Sequence, residues 1–122
     1  MHKVTGIGGF FFRATDSTAL AHWYRDNLGI DPVAEAYGDP SWRQEAGETV
    51  FTAMSEAIDQ FGDGERMWAI NFRVTDLDGM VEQLRAAGTA VTVDETTYPN
   101  GRFASLADPE GNPIQLWEPA ED

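Results

Sequence analysis

The sequence nearly repeats itself at half its length. Phe12-Arg13-Ala14-Thr15-Asp16 returns sixty positions later as Phe72-Arg73-Val74-Thr75-Asp76, in a chain of 122 residues. Each copy runs into a stretch with an Arg at the same offset (Arg25, Arg85) and a closing Gly (Gly29, Gly88). A period of this length implies one supersecondary unit written twice. Two copies side by side enclose a cleft, and the repeat then pairs the residues that line it.

Local signals support a unit of order β-α-β-β-β. Val4 to Ala14 reads as a strand rich in Gly and Phe. Thr15 and Asp16 offer N-cap oxygens to a helix over about Ser17 to Leu28, whose Leu20, Trp23, Tyr24 and Leu28 share one face. Gly29 stops that helix, and Pro32 prevents continuation. Short strands are expected over Pro32 to Tyr37, Trp42 to Ala46 and Thr49 to Met54, with turns at Gly38-Asp39-Pro40 and Gly47-Glu48. In the second copy, Met67 to Val74 is a strand and Asp76 an N-cap. Leu77, Met80, Val81 and Leu84 form a helix face ending before Gly88. Strands follow over Ala90 to Glu95, Arg102 to Ala107 and Pro113 to Glu118, the last fed by the turn Asp108-Pro109-Glu110-Gly111-Asn112. The domain is single, 1–122, with repeat 1 about 1–55, a linker about 56–66 and repeat 2 about 67–122.

Composition narrows the partners. Twenty-one acids against eight bases leave a net charge of −13, which disfavours nucleic acid because phosphate binding needs a basic footprint. There is no Cys, so disulfides, thiol chemistry and Cys-based zinc sites are excluded. The longest apolar run near the start, Phe10 to Phe12, is too short for a signal peptide or a membrane span. A cytoplasmic location without membrane partners is the expectation. His2 and His22, the two histidines, lack the paired spacing of a metal-binding helix.

Thr15-Asp16 followed by Trp23-Tyr24-Arg25-Asp26-Asn27-Leu28-Gly29 resembles the first-helix signature of the vicinal oxygen chelate proteins. That superfamily comprises glyoxalase I, the extradiol dioxygenases, and the fosfomycin- and bleomycin-resistance proteins. Phe72 to Asp78 and the closing segment Asp108 to Glu118 resemble its second-half signatures, so the likeness covers nearly the whole chain. It implies an α+β fold of two tandem βαβββ modules forming curved mixed sheets around a cleft, with helices outside. Homodimers are usual among such relatives, and a homodimer is expected here.

The resemblance also implies where a divalent metal sits in the metal-dependent relatives. Counted from the shared motifs, those four positions are Gly9, Thr52, Ala69 and Gln115. Two of them have no donor atom and the other two are neutral, so no metal and no other cofactor is expected. Alternation along the strands sends Phe10, Phe12, Ile70, Phe72 and Val74 toward the helices, and Phe11, Arg13, Asn71 and Arg73 toward the cleft. Symmetry places Phe51 and Ala53 in the core with Ile114 and Leu116, and turns Thr52 and Gln115 inward. The expected ligand-binding set is Phe11, Arg13, Trp42, Thr52, Met54, Asn71, Arg73, Arg102, Gln115 and Trp117, with Gln44 and Tyr98 as further neighbours. Arg13 and Arg73, at equivalent positions, form a potential clamp for an anionic or carbonyl-bearing ligand.

Two functions fit this inventory. One is a metal-free binding protein that sequesters an amphipathic, antibiotic-like small molecule between aromatic walls. The other is a lyase, isomerase or dioxygenase with a relocated metal or metal-free acid–base chemistry, for which the catalytic residues are unknown. Glu45, Glu48 and Glu118 are the acids within reach of the cleft strands. The balance favours binding, because no base is placed beside a substrate.

Overall fold

The computed structural model of the chain describes residues 1–32, 41–55, 61 and 66–121. Among these residues two helices and four strands follow in the order α1 (Ser17–Leu28), β1 (Ile70–Arg73), α2 (Leu77–Ala86), β2 (Thr92–Val93), β3 (Gly101–Ala107) and β4 (Pro113–Pro119). The architecture is α+β, with one open four-stranded sheet ordered β1-β4-β3-β2.

Both helices begin on the repeated Thr-Asp. The Asp16 carboxylate accepts from Ala19 N at 3.0 Å, and the Asp76 carboxylate accepts from Gly79 N at 3.0 Å. Each cap satisfies a backbone N–H that the first turn leaves unpaired. Gly29, at φ 72°, ends α1 in the left-handed conformation a Cβ would penalise, and its N–H returns to Arg25 O. Gly88, at φ 92°, plays the matching part after α2, where Thr89 N donates to Leu84 O.

β1 and β4 pair in parallel, while β4 with β3 and β3 with β2 are antiparallel. The register gives the sheet two distinct faces. Ile70, Ile114 and Leu106 lie in one cross-strand row, and Phe72, Leu116, Ala104 and Val93 in the next. These rows pack under the helices with Leu20 and Tyr24 of α1 and Leu77, Val81 and Leu84 of α2, which makes the core. Leu77, Leu84 and Leu116 are fully enclosed.

The second repeat therefore builds the expected unit in full, with adjusted bounds. β1 is shorter than Met67 to Val74, although Val74 N still donates to Trp117 O. β2 shrinks from Ala90–Glu95 to two residues; Asp94 N still donates to Phe103 O, and its carboxylate accepts from Thr96 N in the turn that follows. The first repeat contributes its helix as expected, but residues 4–14, 42–46 and 49–54 form no strand. Gly6, Gly8 and Gly9 give the first of these segments no side chains for cross-strand packing. Phe51 and Ala53, expected in the core, are exposed, Phe51 at 91%. The pseudo-symmetric pairing that would bury them is not made among the described residues. Beyond Pro32, the expected strand to Tyr37 and its Gly38-Asp39-Pro40 turn lie outside the described residues. So does the expected linker, apart from Phe61 and Arg66.

Candidate functional site

The face of the sheet turned away from the helices carries two rows that alternation dictates. Asn71, Gln115, Ser105 and Thr92 align across all four strands. Beside them Arg73, Trp117 and Phe103 align across β1, β4 and β3. The first row is neutral and hydrogen-bonding, and the second is aromatic with one guanidinium at its end.

Within the polar row, Asn71 Nδ2 donates to Gln115 Oε1 at 2.7 Å. One amide carbonyl oxygen and one whole amide NH2 group remain without a partner among the described residues, namely Asn71 Oδ1 and Gln115 Nε2. The count is the same if both amides turn over. The aromatic row is ordered. Trp117 and Phe103 stack with centroids 6.4 Å apart and planes 7° from parallel, and Tyr98 meets Phe103 edge-on at 5.8 Å. Trp117 Nε1 donates to Asn100 O at 2.8 Å, so this ring is only 8% exposed and its polar atom is already satisfied. Phe103, Ser105 and Thr92 were not in the expected set. Their signal was the parity of β2 and β3, readable only once the registers of β3 against β4 and of β2 against β3 are known.

The expected site residues do not all gather. Asn71, Arg73, Gln115 and Trp117 share the open face. Phe11 and Arg13 instead line an open hollow of about 660 Å³ with Arg66, Met67, Trp68 and Asn112. The clamp of two guanidinium groups is not formed. Arg73 Nη2 donates to Glu45 O at 2.8 Å and Nη1 donates to Glu48 O, while Arg13 has no such contact among the described residues. Arg102 sits on the helix-side row opposite Glu118 and makes a two-pronged ion pair with Asp78 at 3.0 and 3.2 Å. That bond holds the Asp78 carboxyl below its ordinary range. Glu118 also faces the helices, accepting from Leu77 N at 2.9 Å at the start of α2. Trp42, Gln44, Thr52 and Met54 lie on the exposed segment 41–55.

The turn Asp108 to Asn112 proves to be a buried joint. The Asp108 carboxylate accepts from Glu110 N and Asn112 N on Oδ1, and from Asn112 Nδ2 and the Tyr24 hydroxyl on Oδ2. Arg66 Nη1 donates to Asn112 Oδ1 at 2.7 Å. The Glu110 carboxylate accepts from Thr15 N and Asp16 N, ahead of α1. One turn thus ties the helix of the first repeat to the sheet of the second. Burial, and then the bond and charge of Asp108, push the Tyr24 hydroxyl well above the ordinary tyrosine range.

This combination of a Thr-Asp-capped helix pair, a buried Asp-Pro-Glu-Gly-Asn joint and an open mixed sheet has a family counterpart. The glyoxalase-like domain matches residues 9–117. The chain belongs to the glyoxalase-like domain family, within the vicinal oxygen chelate superfamily. The antibiotic-binding protein TnmS3 from Streptomyces sp. CB03234 is similar in structure, with TM-score 0.65 at 19% identity over 98% of this chain and 100% of that one. A glyoxylase/bleomycin resistance protein/dioxygenase domain from Frankia sp. EAN1pec gives 0.62 at 17% identity, over 97% and 100%. A superfamily member from Sphaerobacter thermophilus gives 0.54 at 21%, over 86% and 90%. At these identities the likeness concerns the fold. No curated protein matches the chain.

The four positions counted from the family motifs do not suit a divalent ion. Gly9 and Ala69 offer no donor, Thr52 Oγ1 lies 3.4 Å from Ala53 O, and Gln115 Oε1 is held by Asn71. Among the described residues, no three His, Cys, Asp or Glu side chains converge. No helix among them is long and apolar enough to cross a membrane.

Proposed function

We propose that this glyoxalase-like protein binds a flat, amphipathic, antibiotic-like small molecule on the open face of its sheet, without a metal and without transforming it. The observation that carries the reading is the Asn71–Gln115 amide pair beside the Trp117–Phe103 stack. The pair leaves a carbonyl oxygen and an NH2 group open to that face, and half-buried Phe103 with exposed Tyr98 offers apolar area beside the enclosed Trp117. A ligand with adjacent carbonyl and N–H or O–H groups on a planar body matches both rows. Arg73 is the one ionisable side chain in the two rows, and its guanidinium is engaged with backbone carbonyls. The nearest carboxylate, Asp94 beside Phe103, is held by Thr96 N and the Tyr98 hydroxyl and so is not a free base over the two rows, which favours binding over lyase, isomerase or dioxygenase activity. The full-length likeness to an antibiotic-binding protein supports the same reading.

Isothermal titration with a panel of planar antibiotics tests it. A binder is expected whose affinity falls about thirtyfold in Asn71→Leu/Gln115→Leu, the worth of two neutral hydrogen bonds. A panel without a binder, or a binder indifferent to the double variant, refutes the reading. One tightly held zinc, nickel or manganese ion per chain after dialysis overturns the metal-free part.

A further inference from the structure

Arg13 and Arg73 are sequence equivalents, yet among the described residues Arg73 alone of the two is fastened to another segment. Its guanidinium leaves the end of β1 and spans the turn after Trp42, donating from Nη2 to Glu45 O and from Nη1 to Glu48 O. Between those carbonyls lies Gly47. A Cβ there would stand 2.7 Å from Arg73 Cζ, 2.8 Å from Nη1 and 3.1 Å from Nε, so the guanidinium occupies the space a side chain would need. Residues 41–55 are exposed along their whole length, so little apolar burial holds them.

We propose that Arg73 is a positioning residue, a clasp that fixes the 45–48 turn against the open face of the sheet. Through the turn it holds the segment bearing Trp42, Thr52 and Met54 as a second wall for the ligand. A planar fork with separate N–H groups suits two carbonyls three residues apart, whereas a lysine ammonium is a single point of charge. Gly47 is the matching half of the device, because its missing side chain lets the fork lie flat on the turn. The consequence for ligand affinity rests on the binding reading above; the clasp itself does not.

Limited proteolysis with a glutamate-specific endopeptidase tests the clasp without any ligand. The bonds cut after Glu45 and Glu48 contain the two carbonyls that Arg73 holds, and the protease must take each carbonyl for itself. Cleavage there, normalised to cleavage after Glu95 and read by mass spectrometry, is expected to run about tenfold faster in Arg73→Gln, with Arg73→Lys intermediate. Gly47→Ala, which leaves the sheet residue in place, is expected to match Arg73→Gln and carries the test if the latter folds poorly. Wild-type rates in Gly47→Ala and in any folded Arg73→Gln overturn the clasp. Any compound that binds the wild type is expected to bind Gly47→Ala at least about fivefold more weakly, and unchanged affinity despite faster cleavage overturns the clasp's part in the site. Faster cleavage with no compound bound by the wild type supports the clasp and refutes the binding reading instead.

Discussion

Replacing Tyr24 by Phe deletes one oxygen atom from the joint that ties α1 to the β3–β4 turn. That hydroxyl donates to Asp108 Oδ2 at 2.7 Å, between a tyrosine 8% exposed and a carboxylate 4% exposed. Hydrogen bonds to charged groups contribute about 1.5–3 kcal/mol. Asp108 keeps three other donors in the variant, so the loss should be about 2 kcal/mol rather than the upper figure. For a chain of this size that corresponds to a fall in thermal midpoint of about 6–10 °C, measured by calorimetry at pH 7. The pH dependence adds a second signature. Burial first, then Asp108, raises the folded-state pKa of Tyr24 above its unfolded value of about 10. Above that pH the unfolded chain binds fewer protons than the folded one, so stability falls as pH rises. Tyr24→Phe lacks this loss, and the gap between the two proteins should narrow from pH 9 to pH 11 (both chosen to straddle about 10). A midpoint change below about 1 °C at pH 7, or a gap constant across that range, refutes the joint as the tie between the repeats.

Leu116→Ala should cost about 3–5 kcal/mol in chemical denaturation, since its side chain is fully enclosed between both helices and the sheet. Phe51→Ala, which pseudo-symmetry would place in an equivalent core, should change stability by no more than about 0.5 kcal/mol; a larger loss would mean the 49–54 segment is packed. Arg102→Gln should leave the thermal midpoint and ligand affinity unchanged, because it removes an exposed ion pair on the helix side of the sheet. Weaker ligand binding in that variant would return Arg102 to the site.

Local chemistry wrote the helices. Asp16, Asp76, Gly29 and Gly88 satisfy backbone groups within a turn of themselves, so Ser17–Leu28 could be read residue for residue from the chain alone. Period-two alternation likewise placed Ile114 and Leu116 on the core side of the sheet and Asn71 and Gln115 on its opposite face, because strand parity is a property of the backbone. The repeat itself predicted two equal halves, whereas among the described residues only the second forms its strands. Whether a strand forms depends on a partner at ladder distance, which no residue in 4–14 or 42–54 encodes by itself. The same holds for Arg73 and Arg102. Their equivalence to a clamp or a cleft wall was a matter of counting, but a long side chain goes to the strongest acceptors its neighbours bring near. For Arg73 those are the carbonyls of Glu45 and Glu48, and for Arg102 the carboxylate of Asp78. The sequence alone determined the family, the helices and the two faces of the sheet, all of which rest on contacts within a few residues or on strand parity. Which side chains remain free to meet a ligand was settled only by contacts between segments far apart in the chain.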